Sequence, residues 1–194
     1  MCRQITLGFV PGLAAAALLA WGCDRPATPA SPKPAFWFTP GPQNCQAGPR
    51  FTGGGRIDPD AGKATFGFNV DARDWCSSTS GTIKGQLQTV FHPSPHILVH
   101  SLGIDAFESF ESDRINPKTG RPGQCARFAG PARVKDGNGP WNFNERFDAT
   151  ACDNGEPGSS PGRGPDQYGI SLSDGRFLPL TDLTGGNIQA HPTH

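Results

Sequence analysis

The sequence predicts an all-β domain, an antiparallel eight-stranded meander that closes into a small barrel. Short runs of alternating apolar and polar residues recur between glycine- and proline-rich turns. Nowhere do apolar residues recur at helical spacing over about a dozen positions free of glycine and proline. Residues 125–156 read as a long β-hairpin that runs into a glycine-rich loop. A β-sandwich of the same strands is the alternative, because patterning alone cannot distinguish a closed sheet from two packed sheets.

The hairpin is the element around which the chain is organised. Its turn is predicted at residues 135–140 (KDGNGP), which are rich in residues that tolerate positive φ or fix φ. Folding the chain about Asn138 and Gly139 places Cys125 directly across from Cys152, at the separation that a disulfide requires. The register of this hairpin therefore predicts a disulfide between these two cysteines.

The same register predicts which face of the hairpin is apolar. It sets Val134 opposite Phe143 and, further along, Gly130 opposite Phe147, so the apolar face lies away from the cysteines. An eight-stranded barrel can be filled by side chains or hold one small ligand. A large aromatic set is predicted to point inward and favours a filled interior: Phe66, Phe68, Trp141, Phe143 and Phe147.

The remaining strands follow from alternation along the chain. They are predicted at residues 51–57, 63–71, 82–91, 97–110, 166–172 and 183–190, with a polar loop over about 111–124. Three of them have clear inward sets, namely Phe66, Phe68 and Val70; Ile83, Leu87 and Phe91; and Tyr168, Ile170 and Leu172. Their opposite faces are polar and include Thr65, Asn69, Lys84, Gln86 and Gln88. In the strand at 97–110 the predicted inward residues are Leu98, His100, Leu102, Ile104 and Ala106.

Both terminal strands are rich in glycine. The first contains TGGGRI at residues 52–57 and the last contains TGGNI at residues 184–188. Because glycine has no side chain, two strands can approach each other closely at glycine positions. These two strands are therefore predicted to pair and close the sheet on itself.

Composition limits the classes of function. The chain has 194 residues, no formal net charge and only 18% charged residues. It therefore lacks the basic field that nucleic-acid binding requires, and no nucleic-acid partner is expected. The chain also has 26 glycines and 20 prolines, a content that could indicate disorder. Its 13 phenylalanines instead favour a packed β protein, in which the glycines and prolines lie in turns.

The amino terminus predicts export. Residues 1–22 combine one positive charge, an apolar run and small residues near the end, as in a signal peptide. The stretch ending at Cys23 resembles the lipobox of bacterial lipoproteins, which predicts a lipid anchor on that cysteine, attachment to the membrane and a location in the cell envelope. Residues 23–44 then form a proline-rich tether, followed by a single β domain at residues 45–194. A soluble secreted protein with an ordinary signal peptide is the alternative.

Four cysteines remain beyond the leader, which is an even number in an exported chain. Two disulfides are therefore expected. Because the hairpin register pairs Cys125 with Cys152, the other pair is Cys45 with Cys76.

A series of short segments recurs in order along the domain. They are residues 51–57 (FTGGGRI), 62–70 (GKATFGFNV), 85–87, 99–101, 152–158 (CDNGEPG) with 164–166, and 185–189 (GGNIQ). In order and spacing they resemble the post-COAP domain of secreted and surface proteins of bacteria. The resemblance implies a small extracellular domain, often the last module of a larger chain, and no assignable activity.

Two sets of side chains are candidates for chemistry. Asp153, Glu156 and Asp166 surround a tight loop, and such oxygen-rich loops in exported proteins can hold calcium. A turn in which Asp and Asn side chains cap backbone amides is the alternative, and no cofactor is expected in that case. His100 and Glu145 fall on the predicted inward faces of their strands, which predicts a buried polar pair.

No catalytic constellation stands out along the chain. The sequence therefore favours a non-enzymatic envelope module with a binding or structural role and a polysaccharide or protein ligand. The alternative is a metal-assisted hydrolase that uses the loop at residues 153–166.

Overall fold

The structure is a computed structural model that describes residues 47–60, 62–75, 82–155 and 165–191. Within these residues it contains nine β-strands and no helix, hence none long and apolar enough to cross a membrane. The strands are β1 Arg50–Ile57, β2 Ala64–Asp71, β3 Lys84–Phe91, β4 Ile97–Ser101, β5 Ala106–Asn116, β6 Arg121–Asp136, β7 Trp141–Asp153, β8 Gln167–Leu172 and β9 Phe177–His191.

Eight of the nine strands form a closed antiparallel barrel. The order around the sheet is β4-β3-β2-β1-β9-β8-β7-β6, and pairing of β4 with β6 closes the ring. The ninth strand, β5, pairs with the first part of β6 and lies outside the barrel. The predicted closed barrel is thus confirmed, with one strand more than the sequence indicated.

Alternation along the strands decides which residues fill the interior. In β2 the burial pattern alternates at every position, with Ala64, Phe66, Phe68 and Val70 pointing inward as predicted. The inward residues predicted for the strands at 82–91 and 166–172 are likewise buried. Aromatic rings fill the barrel: the ring centroids of Phe66 and Tyr168 lie 3.8 Å apart, and the Tyr168 hydroxyl is hydrogen-bonded to Thr89 at 2.7 Å.

The glycine-rich seam between β1 and β9 also forms as predicted. Gly54 pairs with Asn187, and Gly55 pairs with Gly186. Gly186 has a φ of 104°, and a Cβ built there would lie 2.1 Å from the carbonyl oxygen of Gly54. The seam therefore closes only because the crossing backbones carry no side chains at this point.

The central hairpin has the predicted register over most of its length. Cys125 pairs with Cys152, their sulfurs form a disulfide and their Cα atoms are 4.0 Å apart. Gly130 lies opposite Phe147 as predicted. Both cysteine side chains are buried, on the face opposite to the core residues of the hairpin.

Near the turn, however, the predicted register is wrong. A bulge lies between Ala132 and Val134, so Val134 pairs with Asn142 instead of Phe143. The bulge also changes the direction of the aromatic side chains beyond it. Phe143 is 56% exposed and Trp141 is only half-buried, so neither belongs to the core as predicted.

The predicted strand at 97–110 is divided in two. Leu102 and Asp105 still donate hydrogen bonds to carbonyl groups of β6, so β4 and β5 follow the same edge of that strand end to end. In β4 the inward residue is Val99, which is fully buried opposite Val134, whereas His100 faces outward. The predicted polar loop at 111–124 is wrong, because β5 and β6 continue through it to a tight turn.

We predict that Gly186→Ala lowers the free energy of unfolding by about 2 kcal/mol or more. The new Cβ would need a left-handed backbone and would meet the Gly54 carbonyl. Gly185→Ala is the matched control, since a Cβ at Gly185 meets nothing within 4 Å. Urea denaturation of both variants measures the difference, and equal stability of the two would contradict the close approach at the seam.

Candidate functional site

A groove crosses the outer face of the barrel over β2, β3 and β4. Its volume is about 520 Å³, within the range of small-molecule sites. The described side chains that line it are hydroxyls, carboxamides, one imidazole and a few apolar groups, with no carboxylate among them. The lining residues are Thr65, Phe66, Gly67, Phe68, Asn69, Gln86, Leu87, Gln88, Val90, His100 and Ser101.

The floor of the groove is a row of residues that are direct partners across neighbouring strands. Gly67, Gln88 and His100 form this row within the groove, and the row continues beyond the groove to Gly54 on β1 and Arg133 on β6. A Cβ built on Gly67 meets nothing within 4 Å, and one on Gly54 makes only ordinary contact with backbone. At these two glycines the outer surface of the barrel is therefore at the level of the backbone, whereas the flanking rows are raised by side chains.

Uncharged polar groups form the walls. On one side, the Oδ1 atom of Asn69 accepts a hydrogen bond of 3.1 Å from the Gln86 backbone N–H, which orients the carboxamide. On the other side, a hydrogen bond of 2.9 Å joins Thr65 Oγ1 to His92 Nε2. The side-chain amides of Gln86 and Gln88 make no hydrogen bond within the residues that the structure describes. These two amides are therefore free to donate to and accept from a ligand.

A cluster of Arg133, Lys135, Trp141 and His100 lies at the β6 end of the groove, and we call it the cationic end. The His100 ring stands edge-on to the Trp141 ring at 5.3 Å between centroids. The Arg133 guanidinium carbon lies 4.6 Å from the centre of the Trp141 ring, and the Lys135 Nζ lies 6.0 Å from it. Burial lowers the pKa of His100, and the charge of Arg133 lowers it further, so this imidazole is neutral at neutral pH.

The predicted buried pair of His100 and Glu145 is wrong. Both side chains are only half-buried. Glu145 accepts hydrogen bonds from Asn142 and Ser173, while His100 contacts Trp141. The reason is the parity of β4, where Val99 occupies the inward position, together with the bulge that precedes Glu145 on the hairpin.

The carboxylates predicted as calcium ligands are engaged by the backbone. Asp166 is fully buried, and its two oxygens accept hydrogen bonds from the N–H groups of Asn154 at 3.0 Å and Ile188 at 2.7 Å. Asp153 accepts from Gly155 at 3.2 Å and from β9 at Ala190, at 2.9 Å. These bonds fasten the turn after β7 to β9, which is the amide-capping arrangement given above as the alternative.

Several predicted site residues lie outside the described part of the chain. They are Cys23, Cys45, Cys76 and Glu156. Among the described residues no group of three or more His, Cys, Asp or Glu side chains is placed to hold a metal ion. The carboxamide of Asn154 donates to the carbonyl of Pro165, and its Oδ1 atom is buried without a hydrogen-bond partner among the described residues.

Sequence reasoning identified the outward residues of β2 and β3 but did not assemble them into a site. Asn69, Gln86 and Gln88 were recognised as the polar faces of their strands. Their neighbours His100 and Arg133 were not connected to them, because the pairing of β4 with β6 joins segments far apart in sequence. The sequence feature that corresponds to the floor is a pair of glycines at outward positions, Gly54 and Gly67, and it becomes informative only together with the strand pairing.

No family model, curated protein or solved structure matches this chain. The resemblance to post-COAP domains therefore stays a prediction.

We predict that the stability contribution of Asp166 decreases as the pH rises from about 4 to about 6. Burial raises the pKa of Asp166 to about 6, and the nearby charge of Asp153 adds to the shift. A group whose pKa is raised on folding favours the folded state most below its unfolded pKa, near 4, and this advantage is lost as the pH passes the folded pKa.

Urea denaturation of the wild type and Asp166→Asn over this pH range measures the effect. The asparagine variant does not titrate, so the free-energy difference between the two proteins should shrink as the pH rises from 4 to 6. A difference that stays constant over this range would show that the Asp166 carboxyl group has the same pKa in the folded and unfolded states.

Proposed function

We propose that this protein is a non-enzymatic binding module of the bacterial cell envelope and that its outer groove binds a polysaccharide. The observation that carries the proposal is the pair of free carboxamides, on Gln86 and Gln88, beside the open space that Gly67 leaves in the floor. Carboxamides both donate and accept hydrogen bonds, as sugar hydroxyls do. An uncharged lining of this kind suits a ligand that is rich in hydroxyl groups.

The direction of the groove favours a polymer. The row from Gly54 to Arg133, whose three central residues lie in the groove, crosses five strands, and four spacings of about 4.8 Å give this row a length of about 19 Å. A ligand lying along this row would run across the strands. A single sugar would occupy only part of that length, whereas a chain of sugars could contact several strands at once.

The pairing of the strands disfavours an extended peptide in the groove. β2 and β3 have neighbours on both edges, so their backbone N–H and C=O groups already pair within the sheet. A peptide could not add as a further strand there, which is the usual way in which a sheet recognises an extended peptide. Any ligand of this groove must instead contact outward side chains.

The residues of the groove also support a non-enzymatic role. Among the described residues, its lining contains no carboxylate and no cysteine, and His100 has the only ionisable side chain there. General acid–base cleavage of a glycosidic bond commonly requires two carboxyl groups beside the substrate. The alternative of a metal-assisted hydrolase would use the loop of Asp153, Glu156 and Asp166, and the oxygens of Asp153 and Asp166 accept backbone hydrogen bonds.

A lipid anchor at Cys23 is part of the proposal, and its support is the sequence of residues 1–44. We predict that the mature protein purified from a bacterial host begins at Cys23 and carries acyl chains there. Mass spectrometry of the amino-terminal peptide tests this. Cys23→Ser should release the protein from the membrane fraction. A mature amino terminus at any other residue would favour the soluble secreted form.

We predict that Gly67→Leu reduces polysaccharide binding at least tenfold without loss of stability. The leucine would project into the groove, where a Cβ meets nothing within 4 Å. Gly103→Leu is the matched control, since Gly103 is equally open but lies in the connection between β4 and β5. Affinity electrophoresis against neutral and acidic polysaccharides measures binding. Wild-type affinity in Gly67→Leu would place the binding site elsewhere.

A further inference from the structure

We propose that the polysaccharide is acidic and that Arg133 and Lys135 bind its carboxylate groups at the cationic end of the groove. This inference rests on the proposed function and specifies its ligand. It names a chain of sugars with carboxylate substituents, of the polyuronate class. The neutral part of each sugar would lie along the carboxamides, and a carboxylate would reach the two cations.

The cations are continuous with the groove. Arg133 is the direct cross-strand partner of His100, which is itself the direct partner of Gln88. Lys135 is the direct partner of Leu98 in the next outward row. Since neighbouring strands are about 4.8 Å apart, a ligand that contacts Gln88 and His100 lies within one strand spacing of the Arg133 row.

These two cations have no carboxylate partner within the described part of the chain, in contrast to most arginines around them. Six other arginines form ion pairs with aspartates. The pairs are Arg56 with Asp58, Arg73 with Asp71, Arg114 with Asp182, Arg127 with Asp148, Arg146 with Asp105, and Arg176 with both Asp136 and Asp174. Charge is therefore compensated locally over much of the barrel and left uncompensated beside the groove.

Trp141 positions the cations without using their hydrogen bonds. The Arg133 guanidinium lies over the indole ring, and a stacked guanidinium keeps the N–H groups at its edge free to donate. A carboxylate can accept two parallel hydrogen bonds from such an edge. The indole thus reduces the conformational freedom that Arg133 would lose on binding a ligand.

Charges outside the cationic end are not expected to attract an acidic polysaccharide to the groove. The whole chain has no net charge, so a general attraction of the protein for polyanions is not expected. The described residues that line the groove include no carboxylate that would repel an acidic ligand. His100 is neutral at neutral pH because burial lowers its pKa. The positive charge at this end of the groove therefore comes from Arg133 and Lys135.

The test compares acidic polymers with their neutral counterparts. The purified full-length protein is titrated with polygalacturonate and alginate, each before and after chemical reduction of its carboxyl groups. We expect the acidic form to bind at least tenfold more tightly, with an affinity that falls as salt is added. We expect the double variant R133Q/K135Q to lose this preference, so that it binds the acidic and the reduced form of each polymer with similar affinity.

Two further variants make the outcome specific. R133K/K135R keeps both charges and should retain the preference for the acidic polymers. K118Q/R121Q removes two exposed cations from the other end of β6 and should behave as the wild type. Denaturant unfolding of each variant confirms that the fold is retained.

The outcomes separate the two proposals. Equal binding of acidic and reduced polymers would overturn the acidic ligand and leave the polysaccharide groove in place. A preference that persists in R133Q/K135Q, or disappears equally in K118Q/R121Q, would overturn the role of the cationic end. If the protein bound none of these polymers and none of the neutral polysaccharides used in affinity electrophoresis, both proposals would be overturned.

Discussion

The register of β6 against β7 is the constraint on which the rest of the structure depends. The disulfide between Cys125 and Cys152 joins directly opposed positions, so it fixes which residues of both strands face the interior. A slip by one residue would exchange the two faces of the strand. β6 then transmits this parity to β4, because Val134 pairs with Val99 in the core and Arg133 pairs with His100 outside. The floor of the groove is thus determined by a pairing on the far side of the same strand.

Much of this architecture could be read from the sequence because it depends on local patterns. The alternation in β2 and β8 and the cysteine register each involve one strand or one hairpin, and the glycines of the β1–β9 seam stand out within each of the two terminal strands. Residues 97–101 are different, since ILVHS is apolar on both parities and alternation cannot decide which face is inward. The decision is made by the pairing of Val99 with Val134, across a large separation in sequence. The bulge between Ala132 and Val134 is likewise not marked by the alternation of the hairpin residues.

The groove was harder to anticipate than the fold because it belongs to no single segment. Asn69, Gln86, His100 and Arg133 come from four strands, and only the complete set of registers brings them side by side. Gly67 was a further difficulty. A glycine within a strand commonly marks a close approach of another backbone, as Gly186 does at the seam. At Gly67 the same residue type instead leaves open space above the sheet, and only coordinates distinguish the two cases.

The geometry of the cationic end limits how strongly the groove can bind. Trp141 lies against His100 and under Arg133, so its ring contributes little apolar surface to a sugar. Binding would then depend on hydrogen bonds and on exposed charges, each of which contributes about 1 kcal/mol or less in water. A single site of this kind binds weakly. A polymer offers many equivalent units, however, and a module held at a surface by a tether would meet them in groups. Under the proposed function, tight attachment to a polysaccharide would therefore come from many weak contacts along one polysaccharide molecule rather than from any single groove.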